Sequence, residues 1–149
     1  MKKIVLLLVL LCSTLWSIPS FAQFNIKGGA QFVENYSPRF GISGEYFFND
    51  YIVGGADLIL PFRQGENFGV TGRLGVGLGI RNLVANVVAS YEKPQFRIGY
   101  GLEANFLFIE EFGLFARWSR LYPVYSHSTS ISVEGKAKNV FTVGFIVSI

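Results

Sequence analysis

From Phe68 to Ile80 the chain alternates in character at every second position. Phe68, Val70, Leu74, Val76, Leu78 and Ile80 share one side, with Gly72 among them, and Gly69, Thr71, Arg73, Gly75, Gly77 and Gly79 share the other. A strand sends successive side chains to opposite faces, whereas helical spacing would mix these sets and bear the cost of the glycines. The same period divides residues 23–149 into eight runs, this one included: Phe24 to Val33, Arg39 to Phe48, Tyr51 to Phe62, Phe68 to Ile80, Leu83 to Glu92, Phe96 to Phe108, Phe112 to Leu121 and Val140 to Ile149. Each is about the length of a tilted membrane-crossing strand. The connectors Asn49-Asp50, Arg81-Asn82 and Glu110-Glu111 are tight polar turns. Those at Asn35 to Pro38, Arg63 to Asn67, Glu92 to Gln95 and Leu121 to Asn139 are looser. An even strand number with short turns on one side and longer loops on the other predicts an all-β fold, an eight-stranded antiparallel up-and-down transmembrane β-barrel. Both termini then lie on the short-turn, periplasmic side.

Residues 1 to 22 follow a different pattern: Lys2 and Lys3, the apolar run Ile4 to Leu11, then a stretch ending Ser20, Phe21, Ala22. A basic start, a short greasy core and small residues before the cut define a secretory signal peptide, leaving residues 23 to 149 as the barrel domain. A lipid-anchored alternative would use Cys12, but Leu11 stands where such a signal has a small residue. Cys12 is the only cysteine, so the exported chain has no disulfide or thiolate chemistry. Removing the leader leaves 11 basic against 10 acidic residues, which gives no electrostatic reason to expect nucleic acid binding. Only 15% of the residues are charged while 50% are hydrophobic, against about 25% charge in ordinary soluble domains.

Charge distribution separates a membrane barrel from a soluble ligand barrel, which is polar outside and apolar within. One face collects residues such as Phe24, Ile26, Phe32, Phe40, Ile42, Leu58, Leu60, Leu74, Val87, Ile98, Leu102, Leu114 and Phe145, with no charge at membrane height. The other carries Lys27, Glu45, Asp57, Arg73, Arg97, Glu103 and Arg117, diluted with glycine. Aromatic residues on the apolar face sort towards the two ends of the runs, as the two membrane interfaces select. The expected location is the cell outer membrane.

Pairing Phe32 with Phe40 sets Lys27 opposite Glu45; pairing Phe62 with Phe68 sets Asp57 opposite Arg73; pairing Phe108 with Phe112 sets Glu103 opposite Arg117. The expected lumen therefore holds three ion pairs that fix register and block the tube. Arg97 faces Ser90 and is expected to reach across to Asp57 or Glu103. Phe47, Leu107, Phe115 and Ile146 are expected to point inward near the periplasmic end, with Gly75, Gly77 and Gly79 making room for Phe47 or Phe115. An eight-stranded barrel is filled by its side chains, so no open pore is expected.

In this alternation, its girdles and its loop asymmetry, the chain resembles the small outer-membrane barrels of the OmpA transmembrane domain and OmpX type. The last strand, Phe141, Val143, Phe145, Val147 and Ile149, is similar to that family's signal for the barrel assembly machinery; it differs at Ile149, where the family ends in an aromatic residue. The resemblance implies a structural or surface-interaction role in the outer membrane, not an enzyme. One alternative is a lipid A-modifying hydrolase using His127, Ser128 or Ser130, and Glu134 as base, nucleophile and orienter. The lipid A deacylases it would resemble place a serine two positions after the histidine and a glutamate about a dozen further on; here Thr129 stands at the first place and Glu134 comes too soon. A second alternative is a narrow pore for small solutes. A single histidine without cysteine offers no metal cluster, and no cofactor is expected. Arg39, Arg63, Lys93 and Arg120 fall near the loop rim, where lipopolysaccharide phosphates could meet them. Ser126 to Val133 keeps alternating, so strand seven or eight is expected to continue beyond the wall and offer an edge to a surface partner through the 121–139 loop.

Overall fold

The computed structural model describes residues 23–34, 36–78, 82–126, 131–133 and 135–149. Its strands are β1 (Gln23–Val33), β2 (Arg39–Phe47), β3 (Ile52–Pro61), β4 (Gly69–Gly77), β5 (Leu83–Glu92), β6 (Gln95–Ile109), β7 (Phe112–Ser126), the short β8 (Ile131–Val133) and β9 (Lys138–Ser148). From β1 to β7 each strand pairs antiparallel with the next, and β9 pairs with both β7 and β1. The wall is thus a closed, eight-stranded, all-β barrel. Phe24 and Ile149 exchange backbone hydrogen bonds, the closer being Ile149 N donating to Phe24 O at 2.8 Å, so the closing seam runs to the last residue. Closure leaves the wall no unpaired edge. Residues 1 to 22, expected from the sequence to be a signal peptide, lie outside the described residues, as do His127, Ser128, Thr129, Ser130 and Glu134.

Local chemistry sets the turns. Asn49 Oδ1 accepts from the backbone N–H groups of Tyr51 and Ile52 at 2.8 and 2.7 Å, an Asx turn that reverses the chain between β2 and β3. The β5–β6 connector, expected among the looser ones, is a two-residue turn of Lys93 and Pro94. β7 is longer than its run of alternation suggested, and its last residues, Val124 to Ser126, pair with β8.

Polarity is inverted relative to a soluble domain. Among outward residues Leu74 is 61% and Val87 69% exposed, whereas inward Lys27 is 0% and Glu103 1% exposed. Alternation in the sequence becomes alternation across the wall, with the charges sealed inside. Where β1 meets β9, Gly29 faces Gly144; an added Cβ would stand 2.3 Å from Val143 O or 2.1 Å from Gly28 O. Only glycine fits so close an approach of two backbones. Gly75 does make room, but for Asn86, Val84 and Val53 rather than for Phe47 or Phe115.

Candidate functional site

Lys27 on β1, Glu45 on β2, Asp57 on β3, Arg73 on β4, Glu103 on β6 and Arg117 on β7 all point into the barrel and are buried. Lys27 Nζ lies 2.6 Å from Glu45 Oε1 and also contacts Glu103. Arg73 donates from Nη1 to Glu45 Oε2 at 3.0 Å, and from Nε and Nη2 to Asp57 at 3.1 and 3.0 Å. Arg117 Nη1 reaches Asp57 Oδ2 at 3.0 Å, and its Nε pairs with Glu103. These contacts close a ring of alternating sign, running Lys27, Glu45, Arg73, Asp57, Arg117, Glu103 and back to Lys27. One further contact, Arg73 Nη1 to Glu103 Oε2 at 3.4 Å, crosses it. Three cations meet three carboxylates, so the ring is neutral as a whole.

Neighbouring polar groups complete the carboxylates' shells. Ser43 donates to Asp57, Asn25 Nδ2 to Glu45 at 3.5 Å, and Asn105 Nδ2 to Glu103 at 3.3 Å. The Phe115 ring lies under both Lys27 Nζ and Arg117 Cζ, each 5.4 Å from its centroid. Apolar layers stand on either side of the ring. Val33, Val88, Leu121 and Val140 pack together towards the loops, and Phe47, Val53 and Val84 towards the short turns. Phe115 and Ile146 are buried as well, whereas Leu107 is exposed, lining the short-turn mouth beside Phe47 and Ile146. With every ring carboxylate held by at least two cations, the arrangement fills the tube and ties six strands together.

Two of the three expected registers are corrected. Lys27 stands opposite Ser43, with Asn25 opposite Glu45, and Asp57 stands opposite Thr71, with Gly55 opposite Arg73. Each is displaced by two residues, which preserves the face, and the long side chains reach their partners diagonally. The cause is how the rings pack. Phe40 lies over Gly28 and Phe24 over Gly44, so an aromatic residue covers a glycine on the next strand rather than meeting another ring. Phe62 and Phe68 lie beyond the paired part of β3 and β4 altogether. Glu103 does face Arg117, but a bulge between Leu107 and Ile109 puts Ile109, not Phe108, opposite Phe112.

Arg97 faces Ser90 but does not reach Asp57 or Glu103, because it sits at the loop-side mouth, away from the ring. There it joins a second cluster that the inward positions at the strand ends mark out: Arg39, Glu92 and Lys138. Arg39 Nη1 lies 2.8 Å from Glu92 Oε1, and Lys138 Nζ 3.5 Å from Glu92 Oε2. Both cations also lie over the Tyr36 ring, Arg39 Cζ at 5.5 Å and Lys138 Nζ at 4.0 Å. Arg39 is thus buried and turned inward instead of lying on the rim where an outer lipid could meet it. Burial would raise the Glu92 carboxyl, but the Arg39 hydrogen bond and the charges of Lys138, Arg39 and Arg97 outweigh it and hold it below its ordinary range. Lys138 is pushed down to about 8 by burial, with Glu92 opposing and Arg39 and Arg97 repelling its proton.

The fold and this interior define the class: a closed eight-stranded meander barrel with a charged, filled lumen and an apolar exterior. No known family and no curated protein matches the chain.

Proposed function

We propose that the protein is an integral outer-membrane barrel of the OmpA transmembrane domain and OmpX kind, closed to solutes, with a structural or surface-interaction role. The observation that carries this is the inverted polarity. Large apolar side chains cover the outside of the wall while Lys27, Glu45, Arg73 and Glu103 are sealed within. Such an exterior in water would exceed by far the apolar patches soluble monomers expose, whereas in hydrocarbon it is the favourable surface. The closed wall leaves no backbone group of the seam unpaired, which hydrocarbon requires. Lipid and lipopolysaccharide are its surroundings, and the barrel assembly machinery its route of insertion. The β7–β8 extension gives it an edge above the wall for a protein partner.

The test is a gel of the membrane fraction with and without boiling. An intact barrel in detergent migrates differently from its boiled form, and the protein stays with the outer membrane after a salt wash. A water-soluble protein with one mobility overturns the proposal. Mass spectrometry of lipid A from cells with and without the protein checks the hydrolase alternative, since a hydrolase leaves an acyl-chain difference; the structural role expects none.

A further inference from the structure

The loop-side mouth contains a cavity of about 260 Å³, larger than a bare ion needs, lined among others by Glu34, Tyr36, Arg97, Tyr125, Lys136 and Lys138. The described cations at this mouth are Arg39, Arg97, Lys136 and Lys138, and the described carboxylates are Glu34 and Glu92. Among the described residues the site therefore carries two more positive charges than negative. This contrasts with the neutral ring below it, where every charge is matched. The Arg39 guanidinium is buried against the Tyr36 ring, and its Nε has no hydrogen-bond partner among the described residues.

We propose that this mouth binds a phosphate monoester carried on a small, sugar-sized body. A phosphate near neutral pH has a charge of about −1.5 to −2 and three acceptor oxygens. That charge matches the surplus of two, and three oxygens suit donors arriving from β6, from β9 and from the segment before it. A carboxylate offers one charge and two oxygens and leaves part of the surplus unmet. The Tyr36 and Tyr125 rings and Pro123 supply flat walls for the body that carries the phosphate. The proton affinity of Lys138 is lowered first by burial and further by the neighbouring Arg39 and Arg97, whose repulsion an anion in the cavity would screen. The ester could be a free metabolite or the phosphorylated headgroup of a lipid, and the two sources share this chemistry.

The full chain in phosphate-free detergent micelles is titrated calorimetrically with inorganic phosphate, glucose 6-phosphate and glucose. Glucose 6-phosphate binds, inorganic phosphate binds more weakly, and glucose does not bind. Arg97→Gln and Lys138→Gln each weaken glucose 6-phosphate binding about tenfold or more, the expected loss of one charge-assisted contact. Glu34→Gln, which removes a negative charge from the lining, strengthens it. Each variant keeps the parent far-UV circular dichroism. The titration is repeated in phosphatidylcholine nanodiscs with and without lipid A. Loss of glucose 6-phosphate binding when lipid A is present identifies the headgroup as the source; undiminished binding identifies a free ester. Absence of heat with both phosphates, or affinities that the three variants leave unchanged, overturns the proposal.

Discussion

At the scale of single residues, the ring's members differ in how many partners they hold. Glu103 meets Lys27, Arg73 and Arg117, whereas Glu45 meets Lys27 and Arg73. Removing one partner of a buried pair leaves an uncompensated charge, at a cost of about 3–5 kcal/mol. Glu103→Gln is therefore expected to lower stability by an amount in that range and Glu45→Gln by less, read as shifts in the urea midpoint of unfolding in detergent. Equal shifts would mean the ring does not act as a connected network. At the mouth, beyond the outer aromatic positions, Lys138 gives a prediction in pH. Its proton leaves at about 8 in the folded protein and at its ordinary value of 10.5 in the unfolded chain. Between those values the unfolded chain holds more protons, so this group's contribution to stability rises with pH across that window. Carbon-13 NMR of dimethylated lysines should show one midpoint near 8. It should move up in Arg97→Gln, which removes a repelling charge, and down in Glu92→Gln, which removes the attracting one.

At the scale of strands, what could be read from the residues and what could not divide along a physical line. Which face each side chain takes depends on parity alone, and a period of two announces it: Arg73 and Thr71 go inward, Leu74 and Val70 outward, as alternation requires. Register depends on contacts between strands, which parity does not encode. Matching rings to rings displaced β1 against β2 and β3 against β4 by two residues: in the first pair Phe40 and Phe24 rest over Gly28 and Gly44 instead, and in the second Phe62 and Phe68 lie beyond the paired residues. The ring of charges was therefore legible as a set of inward residues on facing strands, while its cyclic order was not, since diagonal reach follows from register. The cluster of Arg39, Glu92 and Lys138 escapes the sequence reading: Arg39 is expected at the rim, and Lys138 falls in the 121–139 connector, outside any alternating run, so nothing in the pattern brings the three together. Closure itself rests on a feature that alternation hides. At the β1–β9 seam, Gly144→Val would force a side chain against the Gly28 carbonyl, 2.1 Å from where its Cβ must stand. Backbone cannot yield as a side-chain tip can, so this variant should fail to form the compact, unboiled gel band. Gly72→Val, where nothing lies within 4 Å of the added Cβ and the position faces outward, should form it normally.

At the scale of the whole molecule, the lumen is blocked three times in series, and this determines what opening it would take. The charged ring fills the middle, with Val33, Val88, Leu121 and Val140 on one side and Phe47, Val53 and Val84 on the other. An ion entering from either mouth must cross an apolar layer before it reaches the charged ring, and leaving water for such a layer costs far more than thermal energy supplies. The purified protein in planar bilayers is accordingly expected to show no discrete conductance. Neutralising the ring should not change that result, because both apolar layers remain. Phe47→Ala with Val84→Ala clears only the short-turn layer and should be silent too. Conductance is expected once all three barriers are thinned together, in a variant that adds Leu121→Ala and Glu103→Ala to that pair and still shows the folded gel band. Steps of current from the unaltered protein would mean that the layers move apart, and the lumen would then be a gate rather than a filled core.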